Sequence, residues 1–308
     1  MSRNHPKKII LSASRRTDIP AFYMPWFMNG IEEGEFEVEN PYNGCTNRVP
    51  ATPEAVHTIV FWSKDFGPFL RGGCGKDLTD RGYHLLFNFT INSHCPDLEP
   101  HVPPLDQRLN QLAALCRHFS PEAVLWRFDP VCFYETPEGA RDNLGDFERI
   151  AATASHFGVK RCVTSFLDLY TKIRRRVKNG TGISFLTPSL EKQQEVLLLL
   201  QAKLNPLGIS LYTCCENEVM ETLPPDTGIF PSACIPGELL TRLYGEGISL
   251  RRDAGQRTAA GCGCTVSRDI GSYRAHPCHH SCLFCYANPA IDQCPSSPAQ
   301  KASTGPRS

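Results

Sequence analysis

Six short apolar runs, rich in β-branched and aromatic residues, punctuate the chain: 8–12, 58–62, 84–90, 123–128, 161–166 and 210–214. Near-continuous hydrophobicity over five to seven residues predicts parallel strands covered on both faces, because a half-exposed strand would alternate instead. Helical stripes lie between them. Residues 105–119 place Leu109, Leu112, Ala113 and Cys116 on one face, and 142–157 place Phe147, Ile150, Ala151 and Ala154 on another. The third, 189–204, opens with Thr187-Pro188-Ser189, read as a cap with proline at the first helical position, and runs into Val196–Leu200. Alternating strands and helices imply right-handed crossovers and a parallel sheet, and six units predict an α/β fold, a partial (β/α)6 TIM-like barrel. A doubly wound open sheet is the alternative with the same elements.

The rest of the chain is punctuation by this reading. Residues 19–49, with Pro20, Pro25 and Pro41, are expected to form an aromatic loop over the end of the first strand. Residues 224–237 read as a second loop, followed by a short helix over 235–244. The barrel is assigned to 1–250, a cysteine-rich segment packed on it to 251–289, and a Pro- and Ser-rich tail, predicted to be disordered, to 290–308.

Thirty-two basic residues balance 32 acidic ones in 308, so no global field draws the chain to nucleic acid or an anionic membrane. The one basic run, residues 172–178, reads as a solvated helix face or an anion contact. No apolar stretch reaches the roughly 18 residues of a membrane span, and the first residues lack the pattern of a secretory signal. A soluble cytoplasmic protein is expected. There, 15 cysteines imply reduced thiols and metal rather than disulfides, with Cys116, Cys132 and Cys162, inside apolar segments, as small core residues.

Parallel α/β folds bind ligands at the carboxyl ends of their strands, and here those ends are polar. The first run leads into Arg15, Arg16 and Asp18, the second into Lys64, the fourth into Arg127 and Asp129, and the sixth into Cys214, Cys215 and Glu216. Arg127 and Asp129, two apart on a strand, share a face. A buried pair of that kind must be matched or used, and a rim ion pair competes with a ligand site as its explanation.

The chemistry concentrates near residue 280. Five cysteines fall between Cys262 and Cys285, and three of them, Cys278, Cys282 and Cys285, read C-x-x-x-C-x-x-C with Phe284 before the last. Three thiolates on one tight loop can hold three irons of a cubane and leave the fourth open to substrate. This loop, followed by Tyr286 and Ala287, resembles the cluster loop of radical S-adenosylmethionine (SAM) enzymes. In that superfamily the loop usually follows the first strand, whereas here about 270 residues precede it. From Ser12-Ala13-Ser14-Arg15-Arg16-Thr17-Asp18 to Tyr286-Ala287-Asn288 the chain also resembles an uncharacterised bacterial family, defined only as a domain of unknown function with a cysteine-rich C-terminus.

The radical SAM resemblance implies a 4Fe–4S cluster on Cys278, Cys282 and Cys285 that reductively cleaves SAM, an electron donor such as a ferredoxin or flavodoxin, and an unknown substrate. It places SAM among the strand-end groups Arg15, Arg16, Asp18, Lys64, Arg127, Asp129 and Glu216, an Arg or Lys holding its carboxylate and an acidic group its ribose. The spacing leaves other metal sites open. Cys262, Cys264 or Cys294 could close a four-cysteine cluster, and His276, His279 and His280 with Cys262 and Cys264 could join the loop in a structural zinc site, giving a non-catalytic metal-binding protein. Asp269–Tyr273 is expected to turn the chain so that the two cysteine groups meet.

Overall fold

The computed structural model describes residues 7–39, 44–178 and 182–287. The tail from 290 onward and Cys294 lie outside the described residues. Eight strands form the main sheet: β1 (Ile9–Ala13), β2 (Val56–Ser63), β3 (His84–Thr90), β4 (Val124–Val131), β5 (Arg161–Phe166), β6 (Ser210–Thr213), β7 (Ile229–Pro231) and β8 (Arg268–Asp269). Their order is β7-β6-β5-β4-β3-β2-β1-β8, and every neighbouring pair is parallel.

The six apolar runs correspond to β1–β6, so the parallel α/β class is correct. The strand count is not. β7 and β8, of three and two residues, are too short to leave a periodic signal. Along the sheet each strand from β1 to β7 lies beside its predecessor, then the chain passes to the far edge and sets β8 against β1. Among the described residues β7 and β8 do not pair, and the sheet is open.

Alternation along the buried strands separates two cores. Leu11, Ile59, Phe61, Phe87, Trp126, Cys162 and Leu211 face the helices α1 (Met24–Glu33), α2 (Gly67–Arg71), α3 (Leu105–His118), α4 (Phe147–His156) and α5 (Leu190–Leu204). Phe61, Phe66, Phe69, Phe87 and Phe89 meet there edge to face or stacked, at centroid separations of 5.0–6.1 Å. Each such burial contributes about 1.5–3 kcal/mol before entropy is set against it. Ile10, Val60, Leu86 and Leu125 point the other way, onto Leu239 and Leu240 of α6 (Gly237–Tyr244) and onto Cys262 and Cys264. Residues 251–287 are thus woven into the sheet and its second face.

Local chemistry corrects three expectations. Residues 19–39 and 46–50 are helices and a hairpin rather than a loop, since Pro20 and Pro25 stand at the first turns of Ile19–Phe22 and α1, where a missing N–H costs nothing. Gly34, left-handed at φ 78°, ends α1. The cap of α5 is Ser189, whose hydroxyl accepts from Lys192 N at 3.3 Å, and Pro188 lies before the helix. Residues 139–142 belong to a strand paired with Phe133–Thr136, so α4 starts five residues later than the apolar stripe alone indicates.

The seam of β1 and β8 rests on a glycine. A Cβ on Gly271 would lie 2.1 Å from Ser14 Oγ and 2.7 Å from Ser14 Cβ. Ser14 cannot yield, because its hydroxyl donates to Asp269 Oδ1 at 2.7 Å and accepts from Arg16 N at 2.9 Å. Gly271→Ala is expected to cost roughly 1–3 kcal/mol in urea unfolding, the range for overpacking a closed contact. A change under ~0.5 kcal/mol would mean that the seam opens freely.

Candidate functional site

At the carboxyl ends of β1 and β2 the polypeptide folds around the side chain of Asp18. Oδ1 accepts from Ser63 Oγ at 2.7 Å and from Ala21 N at 3.0 Å, capping the helix Ile19–Phe22. Oδ2 accepts from Lys64 N at 2.8 Å and meets His280 Nε2 at 2.8 Å, with both side chains almost wholly buried. Four donors from three segments compensate a carboxylate that would be costly to bury alone. Through these bonds Asp18, one of the residues expected near a cofactor, fastens the cysteine loop to the sheet.

The loop is held along its length. Tyr23 donates its hydroxyl to Pro277 O at 2.6 Å, and His276 packs against the rings of Tyr23 and Trp26. Leu283 N donates to Leu98 O at 2.9 Å. Arg176 is buried, and its Nη1 donates to the carbonyls of Leu283 at 2.6 Å, Cys285 at 3.1 Å and Cys282 at 3.4 Å. Tyr286 donates to Arg15 O at 2.9 Å. These contacts set Cys282 in the interior with Cys278 and Cys285 partly exposed. Burial pushes the Cys278 thiol up to about 12, and that of Cys282 well above its ordinary value.

Two cations stand against the loop. Lys64 Nζ donates to Glu99 Oε1 at 2.5 Å and lies 5.3 Å from the centre of the Phe284 ring. Burial alone would lower its pKa, but Glu99 and Cys282 outweigh that and the net direction is up. Arg176 is the second. It belongs to the basic run that reads as a solvated face, yet Ile173 and Arg176, three apart on the helix Thr171–Lys178, are both buried. That spacing is the signal the sequence offers for it. Glu99 carries none, and His280, a candidate metal ligand by its neighbours, gives no sign of its bond to Asp18, since each sits in a loop whose folded path the sequence does not reveal.

Asp269 on β8 makes a second carboxylate anchor. It accepts from Ser12 Oγ at 2.7 Å, Ser14 Oγ at 2.7 Å, Arg15 N at 2.8 Å and Gly271 N at 3.0 Å. Arg16 Nη1 donates to Gly271 O at 2.9 Å, and Arg15 Nη1 to Ser267 Oγ at 3.2 Å, with the Arg15 guanidinium 5.3 Å from the Trp62 ring. The turn expected over 269–273 is therefore shorter at its start, because residues 268–269 are a strand.

Arg127 and Asp129 pair at 2.5 Å, and Ser165 donates to the other Asp129 oxygen. Glu216 accepts from Phe166 N at 2.8 Å, and burial raises its carboxyl to about 7. Cys262 and Cys264 do not join the loop. Their thiols interact with Cys215 and Cys234 instead. Among the described residues no three His, Cys, Asp or Glu side chains converge as ligands of a single metal ion.

The family profile described as "Domain of unknown function (DUF1848)" matches residues 10–287. The chain belongs to that family. No curated protein matches it, and no solved structure does. The DUF1848 match thus covers both carboxylate anchors and the whole cysteine loop.

If Asp18 is the clamp, Asp18→Ala leaves buried donors unmatched and is expected to cost about 3 kcal/mol in urea unfolding. Under native conditions the same variant should expose Cys282, now buried, to iodoacetamide. Unchanged protection of Cys282 would show that the loop is held without Asp18.

Proposed function

We propose that the protein is a radical SAM-type enzyme in which Cys278, Cys282 and Cys285 hold a 4Fe–4S cluster with one iron left for SAM. The observation that carries this is the placing of the three cysteines, by a loop clamped through Asp18, Tyr23 and Arg176, at the carboxyl ends of parallel strands. The residues fit such a group. A cubane takes each thiolate on a different iron, so its ligands need not converge on one point, and Lys64 and Arg176 bring positive charge to an anionic cluster. When bound, the cluster supplies the electron for reductive cleavage of the sulfonium. The sequential parallel order of β1–β7 supports reading the open sheet as an incomplete barrel.

The side chains divide into two tasks. Asp18 and Lys64 spend their charge on His280 and Glu99 and position the loop. Arg15 and Arg16, beside Tyr286 and the β1–β8 seam, hold the SAM carboxylate. Asp129 and Glu216, beyond β4 and β6, accept from ribose or substrate hydroxyls. The chemistry needs a reducing cytoplasm and a donor such as a ferredoxin or flavodoxin. The competing reading, a structural zinc site, loses ligands, because His280 Nε2 is taken by Asp18, and Cys262 and Cys264 lie with other thiols.

Protein purified anaerobically, with Cys262 and Cys264 both changed to Ser to isolate the loop, should be brown, contain iron and sulfide, and lose both on Cys282→Ala. SAM should perturb the paramagnetic signal of the reduced cluster, and a reductant with SAM should yield 5′-deoxyadenosine. A colourless zinc protein, or a cluster indifferent to SAM, overturns the reading. Arg16→Ala should weaken SAM binding roughly ten- to a hundredfold, as loss of a 1.5–3 kcal/mol charged contact predicts, and leave iron content unchanged.

A further inference from the structure

Five cysteines outside the cluster loop come together from three stretches of chain. Cys214 and Cys215 follow β6, Cys234 follows β7, and Cys262 and Cys264 precede β8. Cys214 Sγ lies 3.5 Å from Cys234 Sγ and 3.9 Å from Cys215 Sγ. Cys215 and Cys262, Cys262 and Cys264, and Cys264 and Cys234 shift one another's titration in turn, so the five thiols form one linked group, a ring by these links. All five are free thiols.

The ring is set among arginines. Arg127 Nη1 donates to Cys234 Sγ at 3.3 Å. Arg257, paired with Asp168, acts on Cys215. Arg15 acts on Cys264 and Cys234, and its Nη2 is buried without an oxygen or nitrogen partner among the described residues. Five neutral thiols, three buried and two half-buried, need no cations. A tetrathiolate metal centre does, since four thiolates around a divalent ion carry a net charge of about −2.

We infer that Cys214, Cys215, Cys234, Cys262 and Cys264 form a second, thiolate-held centre for a thiophilic metal, either Zn²⁺ or an iron–sulfur core. The two sulfur separations bracket the edge of a tetrahedron with metal–sulfur bonds of about 2.3 Å, which is about 3.8 Å. Among the described residues the thiols do not yet surround one point. A single ion would need rotation of these side chains about χ1 to gather four of them, and a multinuclear core would not need one shared point. A cavity of about 270 Å³, lined by Thr213, Cys215, Glu216, Met220 and Gly261, opens beside the ring and gives metal a path to it. The centre is independent of what the cysteine loop binds.

The test uses the full chain with Cys278, Cys282 and Cys285 all changed to Ala, purified anaerobically and analysed for zinc, iron and sulfide. This variant should retain about one centre per chain, zinc without visible colour or iron with sulfide, and adding Cys234→Ser should remove it. A metal-free loop variant that is folded by circular dichroism overturns the proposal. The wild-type protein provides a measurement independent of any variant. Alkylation of the five cysteines, mapped by mass spectrometry, should accelerate at least tenfold when a chelator is added, and equal rates with and without chelator also overturn the proposal. Failure of the radical SAM reading looks different: the wild type would then bind only what the loop variant binds.

Discussion

A buried carboxylate is tolerated only where the fold supplies it with donors, and Asp18 has four of them. That requirement ties together the end of β1, the end of β2, a short helix and the cysteine loop. Its reach is long, since His280 is 262 positions away in sequence. Asp269 repeats the device on the neighbouring strand, gathering Ser12, Ser14 and Arg15 from β1 and the residues after it. Together with Tyr23 and Arg176, the two carboxylates help to fix where Cys278, Cys282 and Cys285 sit. They do so at one remove, through hydroxyls, backbone amides and an imidazole rather than through the sulfurs.

The second face of the sheet explains why so much chemistry gathers at one end. Its lower layer, Ile10, Val60, Leu86 and Leu125, is apolar and sealed by α6. Two residues further along the same strands come Ser12, Trp62, Asn88 and Arg127, all pointing the same way by the period of a strand. Apolar burial therefore ends in a polar layer at the carboxyl edge. Both groups of cysteines border that layer, the loop near β1 and β2, the ring near β6 and β7.

The strands and most of the helices were legible because buried parallel strands and amphipathic helices write their periods into the sequence. Short edge strands were not, since two or three residues have no period. The Cys278–Cys285 spacing stood out for a similar reason: a loop carries its cysteines close together in sequence. The ring of five did not, because Cys214, Cys234 and Cys262 are neighbours only after the sheet has formed. Asp18 and Lys64 read as ligand groups for want of their partners. A charged residue at a strand end looks the same whether it faces a cofactor or a histidine from the far end of the chain. Arg176 was hidden by its company, the neighbouring cations Lys172, Arg174, Arg175 and Lys178, which do face solvent.

The pairing of β8 with β1 has a consequence for biosynthesis. A ribosome emits β1 first and β8 some 250 residues later, and until then β1 lacks one neighbour and Asp18 lacks His280. The nascent chain can build the helices and the central strands as it emerges, but the cysteine loop has nowhere to dock before translation is nearly finished. Docking of the loop is accordingly a late event, and a product truncated before β8 would carry Asp18 without the imidazole that completes its set of donors.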